Sequence, residues 1–173
     1  MSWGNLLQPD LVLGGSILDL TPTMLAQNNL RGLVLDVDET LVPMSLEDAS
    51  ADLHDWVAQV RSVATLWLVS NNISRNRIGR IATNLDLPYI SGARKPSRRK
   101  LRQAVEAMNI PVEQVAMVGD RLFTDVLAGN RLGMFTILVE PMLNPALVDQ
   151  KYVVRSVEVW ISQKLGASVA PTR

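Results

Sequence analysis

The segment Leu33-Val34-Leu35-Asp36-Val37-Asp38-Glu39-Thr40 runs from consecutive aliphatic residues straight into a cluster of acids. A short, uninterrupted apolar run reads as a strand covered on both faces, as in a parallel sheet. Packing explains the acids at its end poorly. Two carboxylates two residues apart, buried together, repel each other and lose hydration. A divalent cation removes both objections. A hard cation such as Mg²⁺ takes carboxylate, backbone carbonyl and phosphate oxygens as ligands.

Further apolar runs follow outward from this strand. Residues 65–69 end at Ser70, residues 115–118 meet Gly119-Asp120, and residues 135–139 end before Pro141; Tyr89-Ile90 is a weaker run. Amphipathic stretches lie between them. One opens at Ser45 and carries Leu53, Trp56, Val57 and Val60 at helical spacing. A basic one covers about 75–85, and another opens at Pro96-Ser97 and reaches about Met108. A short helix is expected from about Asp125 to Gly133, and a last one over roughly 153–165. Strands alternating with helices predict an α/β fold: a Rossmann-like core with a parallel five-stranded sheet and helices on both faces. The chain is expected to form one domain over 1–173. Residues 1–29 are its N-terminal arm, 30–140 its motif-bearing core, and 141–173 a C-terminal helix and tail. Ligands of such sheets sit beyond the carboxyl ends of the strands. That rule selects Asp36, Ser70, Lys95 and Asp120.

These residues supply the parts of a phosphoryl-transfer site: a carboxylate nucleophile, a second acid, a hydroxyl, a lysine, and further acids at Asp120 and Asp125. Taken in order, Asp36/Asp38/Thr40, Ser70, Lys95 and Gly119-Asp120 with Asp125 resemble the motifs of the haloacid-dehalogenase superfamily. The resemblance spans roughly residues 30–140. It implies that Asp36 attacks phosphorus and that Asp38 acts as acid and base. It implies that Ser70, Asn71 and Lys95 bind the phosphoryl group. Mg²⁺ would be held by the Asp36 and Asp120 carboxylates and the Asp38 carbonyl, with Asp125 binding water on the metal or orienting Lys95. Thr40 would support the loop. The segments 33–43 and 118–126, with Gly129-Asn130-Arg131-Leu132-Gly133, look closer still to the YqeG-type (IIIA) subgroup. That subgroup is similar to the phosphatidylglycerophosphate phosphatases of mitochondria and plastids. The resemblance implies hydrolysis of phosphatidylglycerophosphate to phosphatidylglycerol.

Composition narrows the alternatives. The 173 residues contain no cysteine and one histidine, His54, so thiolate chemistry and multi-histidine metal sites are excluded. Only 29 residues separate Thr40 from Ser70, and 24 separate Ser70 from Lys95. Each gap holds a helix and a strand and leaves no room for a cap domain. An open site accepts a phosphate carried on a large partner. The net charge of zero hides an asymmetry: residues 1–60 hold nine acids and one base, whereas 71–110 hold nine bases and two acids. This basic segment suits an anionic phospholipid at a membrane surface, or else it is a set of solvated helix faces. Nucleic-acid binding is not expected. No signal peptide or membrane span is apparent, so a cytoplasmic protein, peripheral on a membrane at most, is expected. The apolar N-terminal arm is read as cover for the core, Trp56, Trp67 and Trp160 as core residues, and His54 as structural or exposed. Two rival functions remain: a phosphatase for soluble, protein or nucleic-acid phosphates, and a non-catalytic metal-binding module.

Overall fold

The computed structural model describes residues 3–142, 159, 163, 165–168 and 170. A helix expected over roughly 153–165, and Trp160 with it, lies largely outside them.

The Val34 run forms β2 (Gly32–Leu35), in which every residue is buried. β2 pairs in parallel with β3 (Thr65–Val69) and β5 (Val115–Gly119). β3 pairs with β4 (Tyr89–Ile90), and β5 with β6 (Phe135–Leu138). The sheet has six strands rather than five. The sixth, β1 (Leu11–Val12), comes from the N-terminal arm and pairs with β6 at the edge, giving the order β1-β6-β5-β2-β3-β4. Two residues are too short a run to declare themselves as a strand by periodicity. The arm's Leu7, Ile17 and Leu20 are fully buried, so it packs on the core.

Alternate side chains of β2 serve opposite faces, as pleating requires. Leu33 and Leu35 meet α3 (Ala51–Arg61) and α4 (Arg75–Leu85) through Leu53, Trp56, Val60, Ile78 and Ile81. Val34 faces the other way, onto Leu101, Ala104 and Val105 of α5 (Arg99–Met108) and Ala128 of α6 (Leu127–Leu132). Each fully buried leucine contributes roughly 2 kcal/mol by removal from water. Trp56 is buried, and its indole donates to the Leu20 carbonyl at 2.8 Å, which ties α3 to the arm. Two short helices complete the arm, α1 (Trp3–Leu7) and α2 (Pro22–Gln27).

Three helix starts differ from the sequence reading. α3 begins at Ala51, because Ser50 rather than Ser45 accepts the capping bond, from the Leu53 N–H at 3.2 Å. Residues 46–48 are drawn out instead by arginines of α4. Arg77 donates to the Leu46 carbonyl, and Arg80 pairs with Glu47 and Asp48. α5 starts at Arg99, two residues beyond Ser97. Before α6 the chain makes a π-helical turn (Leu122–Val126), and Asp125 lies inside it.

β2 leads in chain order to β3 on one side, while its other neighbour is β5. The crevice of an open parallel sheet lies where the chain changes direction in this way, at the carboxyl ends of the strands. Asp36 follows β2 there, and Asp120 follows β5.

Candidate active site

The turn after β2 is tight. The Glu39 N–H donates to the Val42 carbonyl at 3.0 Å, and Glu39 adopts a left-handed conformation with φ 69°. Its Oε1 accepts the Met44 N–H at 2.9 Å. This turn holds Asp36 and Asp38 on the sheet rim. The Asp36 N–H donates to the Val118 carbonyl at 2.9 Å, so the residue remains registered to β5.

Lys95 joins the acids. Its buried Nζ lies 2.6 Å from Asp36 Oδ1 and 2.7 Å from Asp125 Oδ1. Asn71 fixes the Lys95 backbone from both sides. It accepts the Lys95 N–H at 2.7 Å and donates to the Lys95 carbonyl at 3.1 Å. The π-helical turn directs Asp125 inward, where Oδ2 accepts the Arg121 N–H at 3.2 Å. Gly119 is needed for this approach. A Cβ there would stand 2.2 Å from Asp125 Oδ2. Thr40 Oγ1 donates to Asp120 Oδ1 at 3.2 Å.

Asp36, Asp120 and Asp125 each offer a carboxylate oxygen within 4.8 Å of the others. Three acids against one lysine leave an excess of negative charge, and the titration behaviour records it. Burial, with Lys95 opposing, lifts Asp36 from 3.8 to about 6. Burial first, then the charges of Asp125 and Asp36, lift Asp120 from 3.8 to about 7. Burial also works against the Lys95 charge, but Asp125 and Asp36 outweigh it and raise the ammonium above its usual range. This hard oxygen set with a charge deficit fits a divalent cation.

Asp38 stands apart from that trio. Arg77 pairs with Oδ1, and Ser70 Oγ donates to Oδ2 at 3.1 Å. Ser70 is fully buried and also accepts the Asn72 N–H at 2.9 Å. A cavity of about 270 Å³ is lined by Asp36, Asp38, Asn71, Lys95, Arg121 and Asp125, among others. Arg77 was missed by the sequence reading. The sequence counts it among nine bases, and only the fold shows that the first turn of α4, capped by Ser74, presents it to Asp38. Met44 and Thr124 of the cavity wall carried no signal at all. His54 lies elsewhere, 2.9 Å from Asn84.

A model of HAD-hydrolase-like sequences matches residues 92–141. The probable phosphatase YqeG of Bacillus subtilis is 34% identical over 127 residues, covering 73% of this chain and 74% of that protein. The chain belongs to the HAD-like hydrolase family. The chloroplastic phosphatidylglycerophosphate phosphatase 1 of Chlamydomonas reinhardtii is 26% identical over 151 residues. That match covers 82% of this chain but 56% of the algal protein, so the chain spans little more than half of it. Among solved structures, the cobalt-bound deoxy-D-mannose-octulosonate 8-phosphate phosphatase of Haemophilus influenzae superposes with a TM-score of 0.51 at 12% identity. The superposition covers 76% of this chain and 87% of that one, a likeness of fold. Among the described residues, no helix of this member is long and apolar enough to cross a membrane.

Proposed function

We propose that this protein is a phosphomonoesterase working through a phosphoryl-aspartate on Asp36, with phosphatidylglycerophosphate as its substrate. The observation that carries the reading is Lys95 Nζ held between Asp36 and Asp125 at 2.6 and 2.7 Å, on the wall of a cavity of phosphate size. The ammonium keeps the Asp36 carboxylate oriented and offers a cation to the oxygens of an entering phosphoryl group. Asp36 attacks phosphorus, and the ester P–O bond breaks. Asp38, two residues on and fixed by Ser70 and Arg77, gives its proton to the leaving alkoxide oxygen. Asp38 then takes a proton from water as that water attacks the phosphorus and frees Asp36. Asn71 keeps Lys95 in place. Asp36, Asp120 and Asp125, with the Asp38 carbonyl, would hold Mg²⁺, whose charge would offset that of the phosphoryl oxygens.

A cavity of about 270 Å³ takes a phosphoryl group and a few attached atoms, so the remainder of a lipid would stay outside. The lack of a cap insertion among the described residues and the likeness to the algal phosphatase support a phosphate presented from a bilayer. The test is a phosphate-release screen comparing phosphatidylglycerophosphate in detergent with soluble phosphate esters. Asp36→Asn should lose all release while keeping its thermal unfolding transition. Release by that variant at the wild-type rate overturns the mechanism. Faster release from a soluble ester than from the lipid overturns the substrate alone.

A further inference from the structure

The fold sorts the nine bases of residues 71–110. Arg77 pairs with Asp38, Arg80 with Glu47 and Asp48, and Lys95 with Asp36 and Asp125. Lys100 donates to the Ser91 carbonyl. Arg75 and Arg94, like Arg98, Arg99 and Arg102, form no ion pair among the described residues, but the last three are grouped at the start of α5. Together with Ser97, and with Arg131 of α6, which has no ion pair either, they line a cavity of about 450 Å³.

Two of these arginines are anchored. Arg98 Nη1 donates to the Arg131 carbonyl at 2.9 Å, and Arg131 Nη1 donates to the Pro96 carbonyl at 3.1 Å. The reciprocal bonds strap the approach to α5 onto the end of α6, so both guanidiniums are held at the junction. α5 also begins here, and its N-cap residue Arg98 makes no side-chain capping bond. Four guanidiniums around one cavity repel each other, and among the described residues no carboxylate lines it to relieve them. A carboxylate ligand satisfies one guanidinium fork. A phosphate has oxygens for several, and the fork geometry matches them.

We propose that Arg98, Arg99, Arg102 and Arg131 form a second phosphate-binding site, distinct from the cavity around Asp36. The two cavities share no lining residue, and Pro96 alone separates Lys95 of one from Ser97 of the other. The ligand is a phosphate group. An anionic phospholipid headgroup and a soluble phosphate share that chemistry, and the experiment separates them.

The experiment uses the full chain as wild type, as Arg99→Gln/Arg102→Gln, and as Arg61→Gln/Arg80→Gln. The last variant removes the same charge from arginines already paired with Asp86, Glu47 and Asp48. Arg99 and Arg102 are exposed, so their replacement should spare the fold, which thermal unfolding checks. Binding is read by cosedimentation with phosphatidylcholine vesicles containing phosphatidylglycerol, and separately by the rise in melting temperature with inorganic phosphate. Both variants keep the Asp36 cavity, so its contribution cancels in the comparison. Arg99→Gln/Arg102→Gln should bind the vesicles roughly 10–30-fold more weakly, while the charge-matched control keeps most of its binding. The phosphate-induced stabilisation should shrink in the same variant only. If wild type ignores vesicles but the phosphate effect still depends on Arg99 and Arg102, the site stands with a soluble ligand. Equal losses in both variants mean diffuse charge and overturn the site, as does no loss in either assay. Turnover is not read, so this outcome is independent of the phosphatase reading.

Discussion

Arg77 grips Asp38 Oδ1 with one arm of its guanidinium and donates with the other to the Pro43 and Leu46 carbonyls, at 3.0 and 2.9 Å. The first turn of α4 thereby fixes both the second acid of the site and the loop that follows it. Ser70 completes the hold from β3.

Arg77 is therefore a positioning residue. Arg77→Lys keeps the charge but cannot hold Asp38 and two carbonyls with a planar fork. Turnover should fall by roughly 10–10²-fold, mostly in kcat rather than KM, as expected when a reacting group loses its alignment. Arg77→Met should fall further. Equal activity of wild type and both variants would show that Ser70 alone aligns Asp38.

Gly119→Ala tests the close approach of Asp125. Its Cβ would meet Oδ2 at 2.2 Å and Cγ at 2.4 Å, so the Asp125 side chain has to move. Movement of Asp125 breaks its contact with Lys95 and disperses the acid trio. Divalent-metal affinity, measured by calorimetry, should drop at least tenfold, with turnover falling alongside. Unchanged affinity would remove Asp125 from the metal site.

Much of this was legible in the sequence because β2, β3 and β5 are continuous apolar runs that end at chemistry-bearing residues. Asp36, Ser70 and Asp120 could be placed from that pattern because a parallel sheet gathers its strand ends on one rim. β1 could not be seen, since two residues carry no period. The start of α3 was misplaced because Ser45 and Ser50 are both competent caps, and the choice between them was made by Arg77 and Arg80 from another helix. The division of the basic segment into paired and unpaired arginines likewise depends on contacts distant in sequence.

Asp38→Asn keeps one acceptor oxygen for the donors Arg77 and Ser70 but cannot transfer a proton. Turnover should fall by about 10²–10⁴-fold, the range for a general acid–base group. The loss should be smaller for an activated aryl phosphate, whose leaving group needs little protonation. A loss below tenfold on an alkyl ester would assign the proton transfer to another residue.

Mg²⁺ should support turnover where Ca²⁺ does not. Ca²⁺ takes longer bonds and more ligands, so it would seat Asp36 and the phosphoryl oxygens less closely. Turnover in excess chelator, or equal rates with the two ions, would contradict this.

The elevated carboxyls make stability depend on pH in a direction that can be fixed in advance. Asp36 titrates near 6 and Asp120 near 7 in the folded chain, against 3.8 for an ordinary aspartate. Over the interval from about pH 4 to about pH 7 the folded state binds more protons than the unfolded one, so raising the pH favours unfolding. The contribution of these groups is complete below the ordinary aspartate value and is lost as pH rises through about 6 and about 7. Asp120→Asn removes one of the two titrations. In chelator at about pH 8, that variant should be more stable than wild type by roughly 1–3 kcal/mol, and the gap should close towards pH 5. Mg²⁺ should reverse the order at about pH 8, because ionised Asp36 and Asp120 hold the ion and the variant lacks one of them. Near pH 5 the ion should give little stabilisation, since protons must leave before it can bind. Urea midpoints for both proteins, with chelator and with Mg²⁺ at each pH, supply the comparison. A metal-free wild type that gains stability over Asp120→Asn as the pH rises would have the opposite sign, and would remove the charge crowding on which the metal site rests.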